Sequence, residues 1–567
     1  MSFRAPISEF NFLINHVVEY EQLVQTNKFA EASQDIVEAI LNEAGKLCTE
    51  VLAPLQRNGD LHPAKLENGI IRTSPGFAEG FSAIAEGGWI GITADTDNGG
   101  MGLPQTLATA VNDMMSSSCL ALQLNPLMSQ GQIEALEAHA SDDLKSLYLP
   151  KLISGEWTGT MNLTEPQAGS DVGALTSKAD PQDDGTYKIT GQKIYISWAD
   201  SDFADNICHL VLARLPDGAP GTKGISLFMV PKFIPNETGE PGERNNFRIV
   251  SLEHKLGLHG SPTAVMSYEG AKGWLIGKKH SGMAAMFTMM NNARLGVGTQ
   301  GIGVAEGAYQ QALTYANERK QGRVGGSGAI IEHADVRRML ATMKADIFAA
   351  RAIALACGVA IDMSHASGDD EKWVSRAALL TPIAKAFGTD VGNDVAHLGI
   401  QVHGGMGYVE ETGAAQWARD ARVTAIYEGT NGIQALDLVG RKMMDGGEAI
   451  YRLLDEIENG ADLAKEQMPQ LAEAVWQSAE TLRECTEWLT SQDISTRGAV
   501  AVPFLRAFAR VLGGHYHLVA ALKGDETRRK LATFYIRSML PEHASLIAHV
   551  LSGADDLMSI QPEDLAS

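Results

Sequence analysis

The stretch AIYEGTNGIQ at residues 425–434 carries one carboxylate, Glu428, between an apolar pair and a glycine. Gly429 permits a sharp turn close to a ligand, and Thr430 or Asn431 can cap the helix that follows. Glu428 would then lie on a helix-entry loop beside apolar side chains, where desolvation raises the pKa of a carboxyl group. On these residues alone, an ordinary acidic residue stabilised by the helix dipole is the first interpretation, and a general base is the alternative.

Two runs rich in hydroxyl groups and glycine lie in a β-rich part of the chain. The first, LTEPQAGSD at residues 163–171, begins like a strand and ends in a glycine-rich turn. The second, Tyr-Ile-Ser, occupies residues 195–197. Hydroxyl and backbone donors in such a domain can hold a flat heteroaromatic ring by its edge. On these residues alone a structural β-turn is the first interpretation, and a cofactor loop is the alternative.

Basic and glycine-rich groups recur in the part that follows. Arg294 stands three residues after Asn291, and Arg319 lies near the end of a helical run. A guanidinium binds pyrophosphate well, so Arg319 could bind a dinucleotide. The alternative interpretation is an exposed basic helix end with no ligand. Glycines in QVHGGMGY, residues 401–408, allow a dinucleotide to approach the backbone, and Gln401 can bond to adenine-side groups. No cysteine or acidic cluster surrounds this motif, so no metal site is predicted.

Elements of two kinds must position these groups. Residues 33–52 place apolar side chains at helical spacing, and Pro54 is predicted to end that helix. Residues 107–136 read as a buried helix pair. Short β-rich runs separated by Asp, Gly and Pro follow from residue 158 and predict an antiparallel β domain. Past Gly277 the chain is helical again.

Composition narrows the classes of function. The 567 residues are 44% hydrophobic, which is typical of a globular protein of several domains. A formal net charge of −23 argues against nucleic acid as the main partner. Five scattered cysteines without a CxxC pair predict a reducing, cytoplasmic compartment. No apolar run of about 18 residues occurs and no signal peptide is visible, so no membrane span is expected.

Three specific motifs follow one another along the chain: LTEPQAGSD at residues 163–171, QVHGGMGY at 401–408 and AIYEGTNGIQ at 425–434. In this order they resemble the acyl-CoA dehydrogenase family over roughly residues 35–445. The resemblance implies an α+β protein with an N-terminal helical domain, a middle antiparallel β domain and a C-terminal four-helix-bundle domain, plus a helical C-terminal extension. The domain limits that we predict are 1–157, 158–277, 278–445 and 446–567. The extension is expected to pack on the body of the protein or on a neighbouring subunit.

The resemblance also implies FAD as the cofactor and assigns site residues by motif position. Predicted cofactor-binding residues are Leu163, Thr164, Gly169, Ser170, Tyr195, Ser197, Arg319, Gln401, Gly404, Gly405 and Thr430. Predicted substrate-binding residues are Ser170, Asn291, Arg294, Tyr427 and Gly429. The chain departs from the family where Tyr195-Ile196-Ser197 replaces Trp-x-Thr, Asn291 replaces an acid and Gly322 replaces an aromatic residue. Ala293 occupies the alternative base position of some members, which leaves Glu428 as the base.

The implied reaction is α,β-dehydrogenation of an acyl-CoA to a trans-2-enoyl-CoA. In the family, Glu428 would take the α-proton while the β-hydride leaves to flavin N5. The backbone N–H of the base residue and a flavin ribityl hydroxyl would stabilise the carbonyl oxygen. The implied partners are the acyl-CoA substrate, an electron-transfer flavoprotein as electron acceptor, and further copies of the chain in a homodimer or homotetramer.

The added length and helical C-terminus resemble a longer bacterial subfamily. That resemblance implies 3-(methylthio)propanoyl-CoA, an intermediate of dimethylsulfoniopropionate catabolism, as the substrate. Methionines such as Met286, Met289 and Met290 could contact a thioether, or they could simply fill the core. The alternatives are a general short- or medium-chain acyl-CoA dehydrogenase, an acyl-CoA oxidase, and a non-catalytic flavin- or nucleic-acid-binding member of the family.

Overall fold

The first part of the chain is helical apart from one short hairpin. The computed structural model describes residues 3–322, 326–368 and 370–566. Its first elements are α1 (Ile7–His16), α2 (Glu21–Val24), α3 (Gln34–Lys46), α4 (Ala53–Leu61), the hairpin strands β1 (Lys65–Glu67) and β2 (Ile70–Arg72), α5 (Phe77–Glu86), α6 (Gln105–His139) and α7 (Asp142–Ile153).

Two of these helices test the sequence predictions. The backbone of α6 leaves helical geometry at Cys119 (φ −157°, ψ 84°), so this buried segment is two helices end to end, as predicted. The prediction that Pro54 ends the α3 helix is wrong. The chain continues from α3 through a π-helical turn, and Pro54 lies in the first turn of α4. Proline is tolerated there because the first N–H groups of a helix have no intrahelical partner.

The middle domain is a seven-stranded sheet with a small separate hairpin. Its strands are β3 (Trp157–Asn162), β4 (Lys178–Pro181), β5 (Tyr187–Ser197), β6 (Asn206–Arg214), β7 (Ile225–Pro231), β8 (Phe233–Pro235), β9 (Pro241–Arg244), β10 (Phe247–Leu252) and β11 (Thr263–Ile276). The sheet order is β10-β11-β5-β4-β6-β3, β7 pairs with both β11 and β6, and β8 pairs with β9. Most pairs are antiparallel, but β3 and β4 each run parallel to β6.

Long helices resume after the sheet. They are α8 (Gly282–Glu318), α9 (Ala334–Ala366), α10 (Glu371–His403), α11 (Ala414–Arg422) and α12 (Asn431–Val439). Glycines bring α8 and α10 together, since a Cβ atom on Gly298 would lie 2.6 Å from the Ala384 carbonyl oxygen. Over the described residues, α9 is the one helix long and apolar enough to cross a membrane, and 89% of its apolar window is buried inside the protein.

Seven further helices form the extension and pack on the same chain. They are α13 (Glu448–Ala464), α14 (Pro469–Thr490), α15 (Ile494–Ala499), α16 (Ala501–Lys523), α17 (Glu526–Phe534), α18 (Glu542–Leu551) and α19 (Asp555–Ser559). The buried Arg510 of α16 forms ion pairs with Asp346 of α9 and Glu542 of α18. His517 bonds to the Ala345 carbonyl at 3.1 Å. The predicted α+β order with a helical extension is therefore confirmed.

A buried ion cluster ties the first helix to the bundle. Arg351 on α9 is 1% exposed and lies 2.6 Å from Glu9, 2.8 Å from Asp113 and 3.1 Å from Glu306, measured from guanidinium nitrogens to carboxylate oxygens. Lys344 adds a second cation 2.8 Å from Glu9. Since the carboxylates come from α1, α6 and α8, one guanidinium holds four helices in register.

Candidate active site

The loop that carries Glu428 is fixed by hydrogen bonds on both sides. Thr430 caps α12, its hydroxyl accepting from the Ile433 N–H at 3.2 Å, which confirms one of the two predicted caps. The Gln434 side chain donates to the Glu428 carbonyl at 3.3 Å. A Cβ atom on Gly429 would lie 2.7 Å from that amide nitrogen, and φ at Gly429 is +85°, so only glycine fits without strain.

Glu428 itself has a backbone conformation that side chains rarely adopt. Its φ is +54°, in the left-handed region, which costs free energy for a residue with a Cβ atom. Such strain persists where the surrounding structure enforces it, and it clusters at functional sites. Among the described residues, the Glu428 N–H has no hydrogen-bond acceptor, so it is available to an incoming oxygen atom.

The electrostatic setting of Glu428 is that of a base. Burial raises the pKa of its carboxyl group to about 7, against the opposing attraction of Arg294 and Lys385. The sequence predicted this direction from the apolar neighbours. A carboxyl group with this pKa exchanges its proton at neutral pH, where a general base is most effective.

A cavity of about 1240 Å³ is lined by residues of α6, α8, α9 and α10, by Asp437 of α12, and by the segments at residues 27–36 and 93–105. Its lining includes Asn291 and Arg294 of α8, as well as Glu134 and Asp437. Arg294 is buried, lies 3.9 Å from Asp437, and has an Nε with no partner among the described residues. Two predicted substrate residues therefore line one cavity, and one of them, Arg294, attracts the Glu428 carboxylate.

The other predicted substrate residues are distributed differently. The Tyr427 hydroxyl donates to Gln300 at 2.5 Å, so it is already used inside the protein. Ser170 is exposed on the loop after β3 and does not line this cavity. Gly429 adjoins Glu428 in the loop at residues 425–430, which we call the base loop.

Glu165 holds the loop after β3 in shape. Its carboxylate accepts from the Lys193 ammonium at 2.8 Å, the Ser177 N–H at 3.1 Å and the Thr176 N–H at 2.7 Å. Glu165 and Lys193 are buried, and these contacts hold the pKa of Glu165 down to about 2 despite its burial. The acid in this run is therefore a structural anchor for the glycine and serine that follow it.

We expect Glu165→Gln to destabilise this loop. The substitution removes the charge partner of buried Lys193 and turns an amide donor toward backbone N–H groups. Breaking a buried ion pair costs about 3–5 kcal/mol. The apparent Tm should fall and bound flavin should be released more readily, as differential scanning fluorimetry and flavin fluorescence would show.

The matched control is Glu269→Gln, which removes an exposed pair with Arg248. Exposed pairs contribute about 0–1 kcal/mol. Equal stability and equal flavin retention in the two variants would contradict the anchoring role of Glu165.

The predicted cofactor residues leave room for a dinucleotide. A Cβ atom on Gly169, Gly404 or Gly405 would meet nothing within 4 Å. Tyr195 has 61% of its surface exposed and a φ of +61°. The hydroxyls of Thr164 and Ser197 are left free at this surface, since neither makes a hydrogen bond within the described part of the chain. The β-domain residues Thr164, Tyr195 and Ser197 therefore fit a flat, edge-bound cofactor, whereas Gly404 and Gly405 lie at the end of α10.

Other predicted cofactor residues lie apart from the β-domain loop. Arg319 and Gln401 are exposed, and Arg319 has no ion-pair partner in the described ranges. Leu163 packs partly buried at the start of the loop after β3. Thr430 uses its hydroxyl for the helix cap. The predicted cofactor residues therefore lie in separate parts of the chain: the β-domain loops, the end of α8, the end of α10 and the start of α12.

Three ionisable groups around Glu428, Arg294 and the cavity escaped the sequence analysis. They are Lys385 on α10, Asp437 on α12 and Glu134 on α6, whose pKa burial raises to about 7. Lys385 is fully buried in an otherwise uncharged run, LLTPIAKAFG at residues 379–388. A single charged residue within such an apolar run could have identified Lys385 from the sequence.

Family models match nearly the whole chain. Three describe acyl-CoA dehydrogenase domains: the N-terminal domain at residues 36–156, the middle domain at 160–271 and the C-terminal domain at 280–444. A fourth, an acetyl-CoA dehydrogenase C-terminal-like domain, matches residues 453–561. The domain limits at residues 157, 277 and 445 stay predictions.

Individual relatives match this chain over most of its length and most of their own. The chain is 42% identical to 3-methylmercaptopropionyl-CoA dehydrogenase of Ruegeria pomeroyi, over 93% of this chain and 92% of the relative. The fold matches Caenorhabditis elegans ACDH-11 in complex with C11-CoA, with a TM-score of 0.79, 22% identity and coverage of 93% and 91% of the two chains. It also matches a Bacillus anthracis acyl-CoA dehydrogenase complexed with FAD, with a TM-score of 0.74, 19% identity and coverage of 97% and 92%.

Proposed function

This chain belongs to the acyl-CoA dehydrogenase family, FAD-dependent oxidoreductases acting on CH–CH bonds, and we propose that its substrate is 3-(methylthio)propanoyl-CoA and its base Glu428. The Ruegeria relative is named for the same thioester and aligns with 93% of this chain. The product is the trans-2-enoyl-CoA. A general short- or medium-chain acyl-CoA dehydrogenase is the second candidate.

The base carries this proposal, because its backbone, its protonation and its neighbours all suit proton abstraction. Glu428 takes the α-proton of the thioester onto its carboxylate. As the proton leaves, negative charge develops on the thioester carbonyl oxygen, and the free Glu428 N–H can donate to it. One such preorganised donor contributes about 3–4 kcal/mol in other enzymes. FAD, when bound, supplies the acceptor for the hydride from the β-carbon.

The pH dependence of the reaction tests the protonation state of the base. Since Glu428 must be ionised to accept a proton and its pKa is raised to about 7, activity should rise with pH through about 7. Below that value kcat/KM should fall about tenfold per pH unit. Stopped-flow flavin reduction between pH 5.5 and 9 measures this profile. A pH-independent rate across that range would contradict the assignment.

Anaerobic bleaching of the bound flavin by a panel of acyl-CoA thioesters tests the substrate. The panel compares 3-(methylthio)propanoyl-CoA with butanoyl-, pentanoyl- and octanoyl-CoA, of which pentanoyl-CoA approximates its chain length without sulfur. A higher kcat/KM for the thioether than for pentanoyl-CoA supports the proposal. Equal values would favour the general acyl-CoA dehydrogenase.

Electron-transfer flavoprotein is the proposed electron acceptor. An acyl-CoA oxidase would instead consume oxygen at the rate of substrate turnover, which an oxygen electrode measures directly. The net charge of −23 disfavours the nucleic-acid-binding alternative.

We further propose that the exposed Arg319 and the exposed residues of the 401–408 segment, among them Gln401, Gly404 and Gly405, meet a second copy of the chain in a homodimer or homotetramer. Light scattering of the flavin-loaded protein measures that assembly. All five cysteines are buried free thiols, which supports a cytoplasmic location.

A further inference from the structure

A buried lysine sits behind the base loop, on the face of α10 that packs against it. Lys385 is 0% exposed, and its ammonium donates to the Asn431 side-chain oxygen at 2.9 Å. Asn431 is the first residue of α12, three positions after Glu428. Lys385 has no ion pair within 4.0 Å among the described residues, so two of its three donors are uncommitted. A buried ammonium without a contact ion pair is costly unless a nearby charge compensates it.

Asn431 is the point through which α10 fixes the base loop. Its side-chain nitrogen donates to Asp390 at 2.7 Å and to Thr389 at 3.0 Å, while its oxygen accepts from Lys385. All three partners lie on α10 within two turns. The strained conformation at Glu428 therefore has a rigid support directly behind it.

We propose that Lys385 is a positioning residue for the Glu428 base, acting through its bond to Asn431 and through its positive charge. The inference rests on the proposed role of Glu428. Lys385 holds the carboxylate in its ionised form inside a dry site and keeps the loop in its strained conformation. It does not touch the substrate in this role.

The charges of Lys385 and Glu428 each affect the pKa of the other, which supports the proposed coupling between them. Glu428 contributes the largest attraction that opposes the burial effect on Lys385, whose pKa burial lowers to about 8. Lys385, after Arg294, opposes the burial effect on Glu428. The charged groups that act directly on this pair are Arg294 of α8 and Asp390 of α10, and Tyr427 lies next to Glu428 in the loop. Further out, Arg294 is faced by Asp437 and Arg441, Tyr427 by Asp420 of α11, and Asp390 by Asp394 and by Arg506 of α16.

The test is Lys385→Gln, which keeps a donor for Asn431 and removes the charge. We expect the kinetic pKa of flavin reduction to rise by about one unit, as loss of a nearby opposite charge does. At pH 6, kcat/KM should fall about tenfold, and above pH 9 it should approach the wild-type value. Lys385→Arg, which keeps the charge, should retain the wild-type midpoint.

The matched control is Thr389→Ala, which removes a bond to Asn431 and no charge. It should leave the midpoint unchanged. An unchanged midpoint in Lys385→Gln would overturn the proposal. Failure of both Lys385→Gln and Lys385→Met to fold with bound flavin would also overturn the proposal, because Lys385 would then be required for folding and not for positioning the base.

A second readout does not depend on activity. The drop in apparent Tm caused by Lys385→Gln should be smaller in a Glu428→Gln background, because the lysine has already lost its main counter-charge there. Equal drops in the two backgrounds would contradict the coupling. A fully active Glu428→Gln variant would instead refute the proposed function, so the two failures are distinguishable.

Discussion

Glu428→Gln should leave FAD bound and abolish its reduction by acyl-CoA. The amide has nearly the same shape as the carboxylate, so the loop and its contacts to Thr430 and Gln434 are retained. It cannot accept the α-proton at neutral pH, and a positioned base contributes about 10²–10⁴ in rate. We therefore expect the anaerobic reduction rate to fall about 10⁴-fold, measured by stopped-flow absorbance with 3-(methylthio)propanoyl-CoA.

The control for this variant is Glu411→Gln, an exposed acid 17 positions earlier in the chain. Its flavin content and reduction rate should equal those of the wild type. Rapid reduction in Glu428→Gln would refute the base assignment. Loss of flavin from Glu428→Gln would mean that the carboxylate supports the fold, and the rate would then carry no information about the chemistry.

Arg351→Met should be among the most destabilising single changes in the molecule. It removes the cation that neutralises Glu9, Asp113 and Glu306 inside the bundle, while methionine retains much of the packing volume. Leaving buried charges without their partner costs about 3–5 kcal/mol. We expect a clear loss in apparent Tm, measured by calorimetry on the flavin-loaded protein.

Arg338→Met is the matched control, since Arg338 lies on the same helix and forms an exposed pair with Asp335 at 2.7 Å. An exposed pair contributes about 0–1 kcal/mol, so its Tm should be nearly unchanged. If the two variants unfold at the same temperature, the Arg351 cluster does not stabilise the bundle as described.

Much of the site is local in sequence and could be predicted from it. The carboxylate, the glycine and the helix cap at residues 428–430 are adjacent, and together with the other family motifs they predict a base on a helix-entry loop. The alternation of helical and β-rich runs likewise predicts the order of the domains, which the fold confirms. Periodicity and turn residues act over a few positions, so a linear reading is sufficient for them.

Other parts of the site depend on contacts that no linear pattern contains. Glu165 belongs to a motif that suggested a cofactor loop, yet its own role is to hold Lys193, 28 positions away. Pro54 was expected to end a helix and instead begins one, because the π-helical turn before it allows the chain to continue. Both outcomes depend on burial and on neighbours from distant segments.

The sequence by itself predicted the family and the order of domains, because motifs and periodicity are local features of the chain. The family resemblance assigned Glu428 as the residue that takes the proton, and that assignment stays a prediction. Only the tertiary structure decided the protonation of that residue and the identity of its support. Lys385 and Asn431 are 46 positions apart, and they meet because α12 packs against α10 in the folded chain. The pKa of Glu428 depends on burial and on the charges brought near it, and both arise only when the chain has folded.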